Sequence, residues 1–287
     1  MTSAWAHSLR STVLYLGRHP VGRRQPLRTA LRVALWQARL RFNSGLQSAP
    51  WVNDSRLLVR RGLTGVTGNV YYGLHEFVEM SFVALLLRPE DLFVDIGANA
   101  GSYTVLASKV AGARTLAFEP GDEAANVLAR TVALNGISER VELRREAVGD
   151  RVGEARFTRG LGTMNKVSAE GEVAVPLITI EAALGGAIPL AIKLDIEGGE
   201  DAAIRGARTL LEDRRLEALL IETVSDETAR SLASAGLAEV QFDPWTRSLY
   251  DGDARLPVNN RIYVRDRAFV AERLRTAPPL SFAGITL

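Results

Sequence analysis

Asp95, Glu119, Asp195 and Glu222 each stand at the end of a short apolar run, and Asp95 is followed at once by a glycine-spaced turn, Gly97-Ala98-Asn99-Ala100-Gly101. A strand, a tight turn and a helix start in that order make a ligand seat, because the first N–H groups of a helix have no partner within it. The spacing decides which ligand. A turn that binds a dinucleotide reads G-x-G-x-x-G, whose middle glycine lets the pyrophosphate touch the backbone. Here the spacing is Gly97-x-x-x-Gly101, and a carboxylate precedes it. An anion at that point repels a pyrophosphate and suits a cofactor that carries an ammonium, a sulfonium and no phosphate. The pattern therefore favours S-adenosylmethionine over NAD. Taken alone, the stretch also reads as a plain structural turn, since glycines after strands are common. Glu119, about twenty residues past the glycines, sits where α/β nucleotide folds place the carboxylate that accepts the ribose hydroxyls.

Methyl transfer from a sulfonium is an in-line displacement, so a protein that catalyses it aligns the acceptor with the methyl group and takes one proton from an alcohol. Asp195, after an apolar run and just before Glu197-Gly198-Gly199-Glu200, is the first candidate on the acceptor side. Lys193, two residues earlier, points the same way in a regular strand and can orient Asp195 or, desolvated, act as a base. The ordinary pKa of His75 suits a base, with a hydrogen-bonded structural role as the alternative. Glu146 or the Ala147 backbone falls near the expected adenine position. Glu200 and Asp201 fit the first turn of a helix, where acids stabilise the dipole, and Glu197 fits either role. An oxygen site built from Asp195, Glu197 or Glu222 can take Mg²⁺, although the spacing does not require it. His75-Glu76-Phe77-Val78-Glu79 lacks the second histidine of a zinc helix, so no metal residue is assigned.

Four segments in this order, Phe93-Val-Asp-Ile-Gly-Ala-Asn-Ala-Gly-Ser-Tyr-Thr104, Ala117-Phe-Glu-Pro120, Ala147-Val-Gly-Asp150 and Ile192-Lys-Leu-Asp-Ile-Glu-Gly-Gly-Glu200, resemble the motifs of the FkbM family of S-adenosylmethionine-dependent methyltransferases. Gly62-Leu-Thr-Gly65, Tyr72-Gly-Leu-His-Glu-Phe77 and Thr163-Met-Asn165 also resemble family segments, and the likeness runs from about Arg56 to Asp266. The resemblance implies S-adenosylmethionine held by Asp95, Gly97, Ala98, Asn99, Gly101, Tyr103, Glu119, Glu146 and Ala147. It also implies methylation of a hydroxyl oxygen on a sugar, glycan or secondary metabolite, with Asp195, Lys193 and His75 on the acceptor side. Three positions depart from the family pattern: Thr131 stands for the usual Asn, Gly121 for a second Pro, and Glu181 for Asp. None of them lies in the cofactor turn. An NAD(P)-dependent oxidoreductase and a non-catalytic cofactor-binding module are the alternatives.

Positioning these residues requires an α/β domain of the Rossmann-like type. From Asp91 onward, apolar runs at 92–96, 115–119, 141–144, 190–195 and 216–222 alternate with helical stretches, which implies a parallel sheet with right-handed crossovers. Segments 238–242 and 261–264 add an antiparallel C-terminal edge, for a seven-stranded methyltransferase sheet. Residues 91–287 form this domain, with an insertion at about 150–180. Residues 55–90 read as a cover: a hairpin from Arg56 to Tyr72, turning through Gly62, Gly65 and Gly68, then a buried helix from Glu76 to Leu87. Residues 1–54 read as a basic helical appendage. Pro26 opens a helix to Arg41 with Leu27, Leu31, Ala34, Leu35 and Ala38 on one face and Arg28, Arg32 and Arg39 largely opposite.

That helix can pack on its own domain, lie on an anionic membrane or hold an acidic substrate. Its arginines lack interleaved aromatics, so nucleic acid is not expected as a partner. With 47% hydrophobic and 24% charged residues in 287, the chain has the composition of a globular protein with a sizeable core. It has no cysteine, hence no disulfide frame and no thiolate nucleophile, which suits a reducing compartment. No apolar run approaches the roughly twenty residues of a membrane span, and the patch at 12–16 is short for a secretion signal. The expected location is cytoplasmic, with contact at the inner face of a membrane through the basic helix.

Overall fold

The computed structural model describes residues 17–43, 45–160 and 164–287; the apolar patch at 12–16, Arg10 and Thr163 lie outside the described residues. The chain opens with helices α1 (Pro20–Arg24) and α2 (Pro26–Phe42), each begun by a proline whose missing N–H costs nothing at that position. An antiparallel hairpin follows, β1 (Gln47–Pro50) with β2 (Arg56–Val59), and then helices α3 (Thr64–Tyr72) and α4 (Phe77–Leu86). Next come β3 (Leu92–Ile96), α5 (Ser102–Val105, prolonged by a π turn Leu106–Val110), β4 (Arg114–Phe118), α6 (Asp122–Leu134) and β5 (Val141–Arg144). Three short strands, β6 (Ala147–Val148), β7 (Gly153–Phe157) and β8 (Val173–Ile178), make a small sheet of their own in the order β6-β8-β7. The rhythm resumes with α7 (Ile180–Leu184), β9 (Ala191–Leu194), α8 (Glu200–Arg205), α9 (Arg208–Glu212), β10 (Ala218–Ile221) and α10 (Asp226–Ser234). It closes on β11 (Ala238–Asp243), β12 (Ser248–Tyr250), β13 (Arg261–Val264) and α11 (Arg267–Arg275).

The main sheet runs β12-β11-β13-β10-β9-β3-β4-β5. Strands β10, β9, β3, β4 and β5 are parallel, while β13, β11 and β12 are antiparallel, which is the expected Rossmann-like layout with an antiparallel edge. The eighth strand is the short β12, which the sequence pattern does not signal. From β3 the chain steps outward through β4 and β5, then returns to β9 on the other side of β3. The β3/β9 seam is therefore the switch point, beyond whose carboxyl end a ligand sits. One face of the sheet packs through Val94, Ile96, Ile192 and Leu194 on the helices after β8. The other face, with Phe93, Ala117 and Ala191, joins a single apolar cluster with α4, α5, the hairpin and Trp36 and Leu40 of α2.

Three expectations are corrected. Residues 64–72 are helical rather than the second strand of a hairpin, and the partner of Arg56–Val59 is the earlier segment Gln47–Pro50. Gly68 marks a close approach instead of a turn, since a Cβ there would lie 2.3 Å from the His75 ring. The single helical stretch expected between the runs at 190–195 and 216–222 is broken at Gly206, whose Cβ would meet the Gly149 carbonyl oxygen at 2.2 Å. On α2 the expected faces are exchanged. Leu27, Leu31, Ala34, Leu35 and Ala38 are exposed, whereas Thr29, Val33, Trp36 and Leu40 face the core. Arg32 accounts for part of this: half-buried, it donates to the carbonyl oxygens of Tyr71 and Ala283 and to Thr29 Oγ1, holding its side of the helix inward.

Two long-range polar ties fix the cover on the domain. Asn135, after α6, accepts from the Arg56 N–H at 2.9 Å and donates to its carbonyl at 2.8 Å, pinning the hairpin. Arg273 of α11 forms an ion pair with Asp91 at the start of β3 and donates to the Leu86 carbonyl at 2.9 Å, with both charged side chains buried or nearly so. Removing one member of such a pair leaves the other charge without a partner. Arg273→Ala is therefore expected to lower the unfolding free energy by about 3 kcal/mol, read as a lower urea midpoint at unchanged slope.

Candidate functional site

The turn after β3 is built by its neighbours. Gly97 has φ +78°, and a Cβ there would stand 1.9 Å from the Asp195 carbonyl oxygen, so the turn lies directly against the end of β9 and admits no side chain. Gly101, at φ +93°, leaves the room that Leu128 of α6 fills. The donors of the turn point inward. The N–H groups of Gly97 and Ala98 both donate to the Phe118 carbonyl (3.1 and 2.9 Å), that of Asn99 to Glu119 Oε2 (2.9 Å), and that of Gly101 to the Ala98 carbonyl (2.9 Å). This differs from a seat of free N–H groups for an anion, because the strand-end carbonyl and Glu119 have taken them. Glu119 accepts a second bond from the Gly121 N–H at 2.8 Å. Burial pushes its pKa up, against the two N–H groups that favour the carboxylate.

Above the switch point opens a cavity of about 1660 Å³, lined among others by Gly97, Ala98, Asn99, Tyr103, Glu119, Glu146 and Ala147 and by His75, Lys193, Asp195 and Glu222. It exceeds the roughly 300–1,000 Å³ of a single-ligand pocket and so has room for two molecules. Asp95 and Gly101 stand behind its wall rather than on it. Asp95 is fully buried; its Oδ2 accepts from Thr104 Oγ1 at 2.6 Å, its Oδ1 has no hydrogen-bond partner among the described residues, and burial raises its pKa. Glu146 is paired with Arg144 at 3.5 Å, and Ala147 is buried in β6 of the insertion.

Lys193 lies opposite Asp95 in the β3/β9 register and donates to Asp195 Oδ2 at 2.8 Å, so the two side chains do share a face. Its ammonium also sits 4.7 Å from the centre of the Tyr103 ring. Burial pulls the Lys193 pKa down, but Asp195, Asp95 and Glu76 outweigh it and raise the net value. A lysine held charged in this way orients carboxylates, and the reading of Lys193 as a base is set aside. Burial raises the Asp195 pKa, while Lys193 and a hydrogen bond with Glu222 bring it below the ordinary carboxylate range. Glu222, opposite Asp195 at the end of β10, is pushed up to about 7 by burial and by that neighbouring charge. Asp195 and Glu222 thus form a pair that holds one proton near neutral pH. His75 lines the same cavity; burial lowers its pKa in spite of Glu76, which leaves the imidazole neutral at pH 7. No group of three or more His, Asp or Glu among the described residues is arranged to hold a metal ion.

The model of the methyltransferase FkbM domain matches residues 95–236, the stretch that holds the turn, Glu119, Lys193, Asp195 and Glu222. This chain carries an FkbM methyltransferase domain. Among solved structures, a methyltransferase FkbM from Methylobacillus flagellatus KT is 18% identical with a TM-score of 0.45, over 62% of this chain and 44% of its own. This chain therefore spans less than half of that relative's length. An rRNA methylase from Streptococcus thermophilus is 14% identical with a TM-score of 0.37, over 64% of this chain and 91% of its own. The C-terminal domain of a precorrin-6Y C5,15-methyltransferase from Rhodobacter capsulatus is 18% identical with a TM-score of 0.36, over 64% and 84%. No curated protein matches the chain.

The cavity is also shaped by residues outside the matched FkbM stretch, which the spacing did not assign to the site. Glu76, just before α4, accepts from the Tyr103 hydroxyl and lines the cavity. Glu79, fully buried and pushed up to about 7 by burial, accepts from the N–H groups of Asn259 and Asn260, which form part of the cavity wall. Two acids within an otherwise apolar, buried helix were the available signal. Asn69 donates to Ser102 Oγ at 2.9 Å and accepts from the His75 N–H at 2.8 Å, which fixes the histidine against α5. Lys193→Met would leave Asp95 and Asp195 without their cation, and is expected to cost about 3–5 kcal/mol at pH 8. Because burial raises the folded-state pKa of Asp95, its carboxylate weakens the fold above the unfolded value and is relieved as pH falls through the folded one. The deficit of the variant should therefore shrink as pH is lowered from 8 toward the acid side in chemical denaturation.

Proposed function

We propose that this chain is an S-adenosylmethionine-dependent methyltransferase that acts on a hydroxyl oxygen of an uncharged, polyhydroxylated acceptor, such as a sugar, a glycan or a secondary metabolite. The observation that carries the cofactor assignment is the inward use of the turn's donors. With Gly97, Ala98, Asn99 and Gly101 bonded internally and Glu119 and Asp195 on the cavity wall, a pyrophosphate finds repulsion there and a cationic cofactor finds attraction. That arrangement also disfavours the NAD(P) reading. Glu119 keeps free lone pairs for the ribose hydroxyls, the wall at Glu146 and Ala147 takes the adenine, and Asp195 with the Gly97–Asn99 backbone faces the amino acid end. When bound, S-adenosylmethionine supplies an electrophilic methyl group on sulfur, with a neutral thioether as leaving group.

The chain's own residues then have two tasks. The first is alignment: Lys193 fixes Asp195, and the rim formed by His75, Glu76, Asn259 and Asn260 offers hydrogen bonds to hydroxyls. The second is removal of one proton as the acceptor oxygen forms its bond to carbon. Glu222, with a pKa of about 7 beside Asp195, takes that proton once ionised, and neutral His75 is the second group able to do so. The acid-rich wall favours neutral hydroxylated acceptors over phosphorylated ones, and the proton transfer written here does not require Mg²⁺.

Calorimetric titration is expected to give binding of S-adenosylmethionine and S-adenosylhomocysteine and no heat with NADH; the reverse result overturns the assignment. With an acceptor found from a glycan and metabolite panel by the mass gain of one methyl for hydrogen, kcat/KM should rise as pH passes about 7 and level off above it. Glu222→Gln is expected to flatten that step and reduce turnover about 10²-fold or more. If the step survives in Glu222→Gln and vanishes in His75→Asn, the histidine holds the role. Cofactor binding with no methylation across the panel would favour a non-catalytic module.

A further inference from the structure

Helix α2 is apolar on two opposite sides, and only one of them is covered. Thr29, Val33, Trp36 and Leu40 pack inward, while Leu27, Leu31, Leu35 and Phe42 are 85%, 58%, 63% and 91% exposed. Successive residues turn by about 100° around a helix axis, so Ala34, Leu27, Ala38, Leu31, Phe42 and Leu35 form one continuous arc. Arg28 lies just beyond Leu35 at one margin of that arc and Arg41 just beyond Ala34 at the other. Both are exposed, and neither has an ion pair among the described residues. Arg18 and Arg23 precede the helix, also exposed, and no acidic residue occurs from Gly17 to Asn53. The first acid, Asp54, is already paired with Lys109 at 2.9 Å.

We propose that this face docks the protein on an anionic lipid surface, with the leucines and Phe42 entering the boundary between headgroups and acyl chains and the arginines on the headgroups. The geometry is that of a helix lying in the interface plane, since no helix among the described residues is long and apolar enough to cross a membrane. Charge selects this occupant over a second copy of the chain. Two such faces pressed together would set arginine margin against arginine margin with no acid nearby, whereas anionic headgroups neutralise both margins at once. The docked helix also bears on the site: α2 packs on α3, whose first turn supplies Gly65 to the cavity rim next to Gly62 and Leu63. The mouth of the acceptor cavity is thus one helix away from the lipid.

The test mixes the full chain with vesicles of phosphatidylcholine containing phosphatidylglycerol, and with phosphatidylcholine alone, at low and physiological salt, and reads flotation. Binding is expected to anionic vesicles, to weaken with salt, and to be absent on neutral ones. Leu27→Gln/Leu31→Gln/Leu35→Gln and Arg28→Gln/Arg41→Gln should each reduce partitioning about tenfold or more, at unchanged melting temperature, because the altered side chains touch little of the fold. Failure of the full chain to bind anionic vesicles overturns the proposal, as does binding retained by both variants. A dimer that the triple leucine variant dissociates, without vesicle binding, assigns the face to a second copy. Vesicle binding gained only after removal of residues 1–16 assigns it to that segment, and either result overturns the lipid reading.

Discussion

A buried ammonium at the β3/β9 seam is the constraint on which the site depends. Lys193 has lost its water, and only the surrounding carboxylates of Asp195, Asp95 and Glu76 keep it charged. Those acids stand around it: Asp95 behind the wall with its Oδ2 bonded to Thr104, Asp195 held by the hydrogen bond from the ammonium, and Glu76 on the hydroxyl of the Tyr103 ring that the ammonium faces. One ammonium cannot neutralise them all. The excess negative charge is exported to Glu222, which keeps its proton to about pH 7 and can exchange it with a ligand. Thus a structural requirement, compensating a buried charge, creates the group whose titration suits catalysis.

The backbone obeys the same constraint. Gly97 has to be a glycine because the Asp195 carbonyl occupies the place of its Cβ, and that contact brings the glycine turn and the end of β9 to one point. The inward hydrogen bonds of the turn stiffen it with strand-end oxygens instead of a ligand anion. A site of this kind is preorganised before either molecule arrives, so less ordering remains to be done on binding. The stretch matched by the methyltransferase FkbM domain supplies this floor, while α3, α4 and the turn between them supply further wall with Gly65, His75, Glu76 and Met80, beside the loop held by Glu79.

The succession of core strands along the chain, the antiparallel edge and the acids at the strand ends are legible in the sequence because they depend on local pattern. Buried parallel strands read as short apolar runs, and strand-end acids and glycine turns have fixed spacings. What failed was decided by tertiary contact. Gly65 and Gly68 looked like turn residues, but Gly68 is a packing point for the His75 ring, and a helix forms through both. The inward face of α2 was misassigned because Leu27, Leu31 and Leu35 are the more regular apolar series. Trp36, Leu40 and a half-buried Arg32 with carbonyl partners nonetheless bind more of the core. The roles of Glu76 and Glu79 are not legible in the sequence because their partners lie 27 to 181 residues away, a separation no short motif can encode.

The charge distribution gives the two halves of the chain different environments. The cavity collects acids from the ends of β4, β9 and β10, whereas the described N-terminal stretch carries arginines and no acid before Asp54. Were the arginines of α2 turned toward the cavity, they would pair with Glu76 or Glu222 and remove the anionic wall on which cofactor choice rests. Helix α3 stands between them, and Arg32, the one arginine of α2 that turns inward, bonds to carbonyl oxygens rather than carboxylates. Separation by one helix keeps the cavity negative and the outer face positive. Opposite charges can then stand in the same molecule without cancelling.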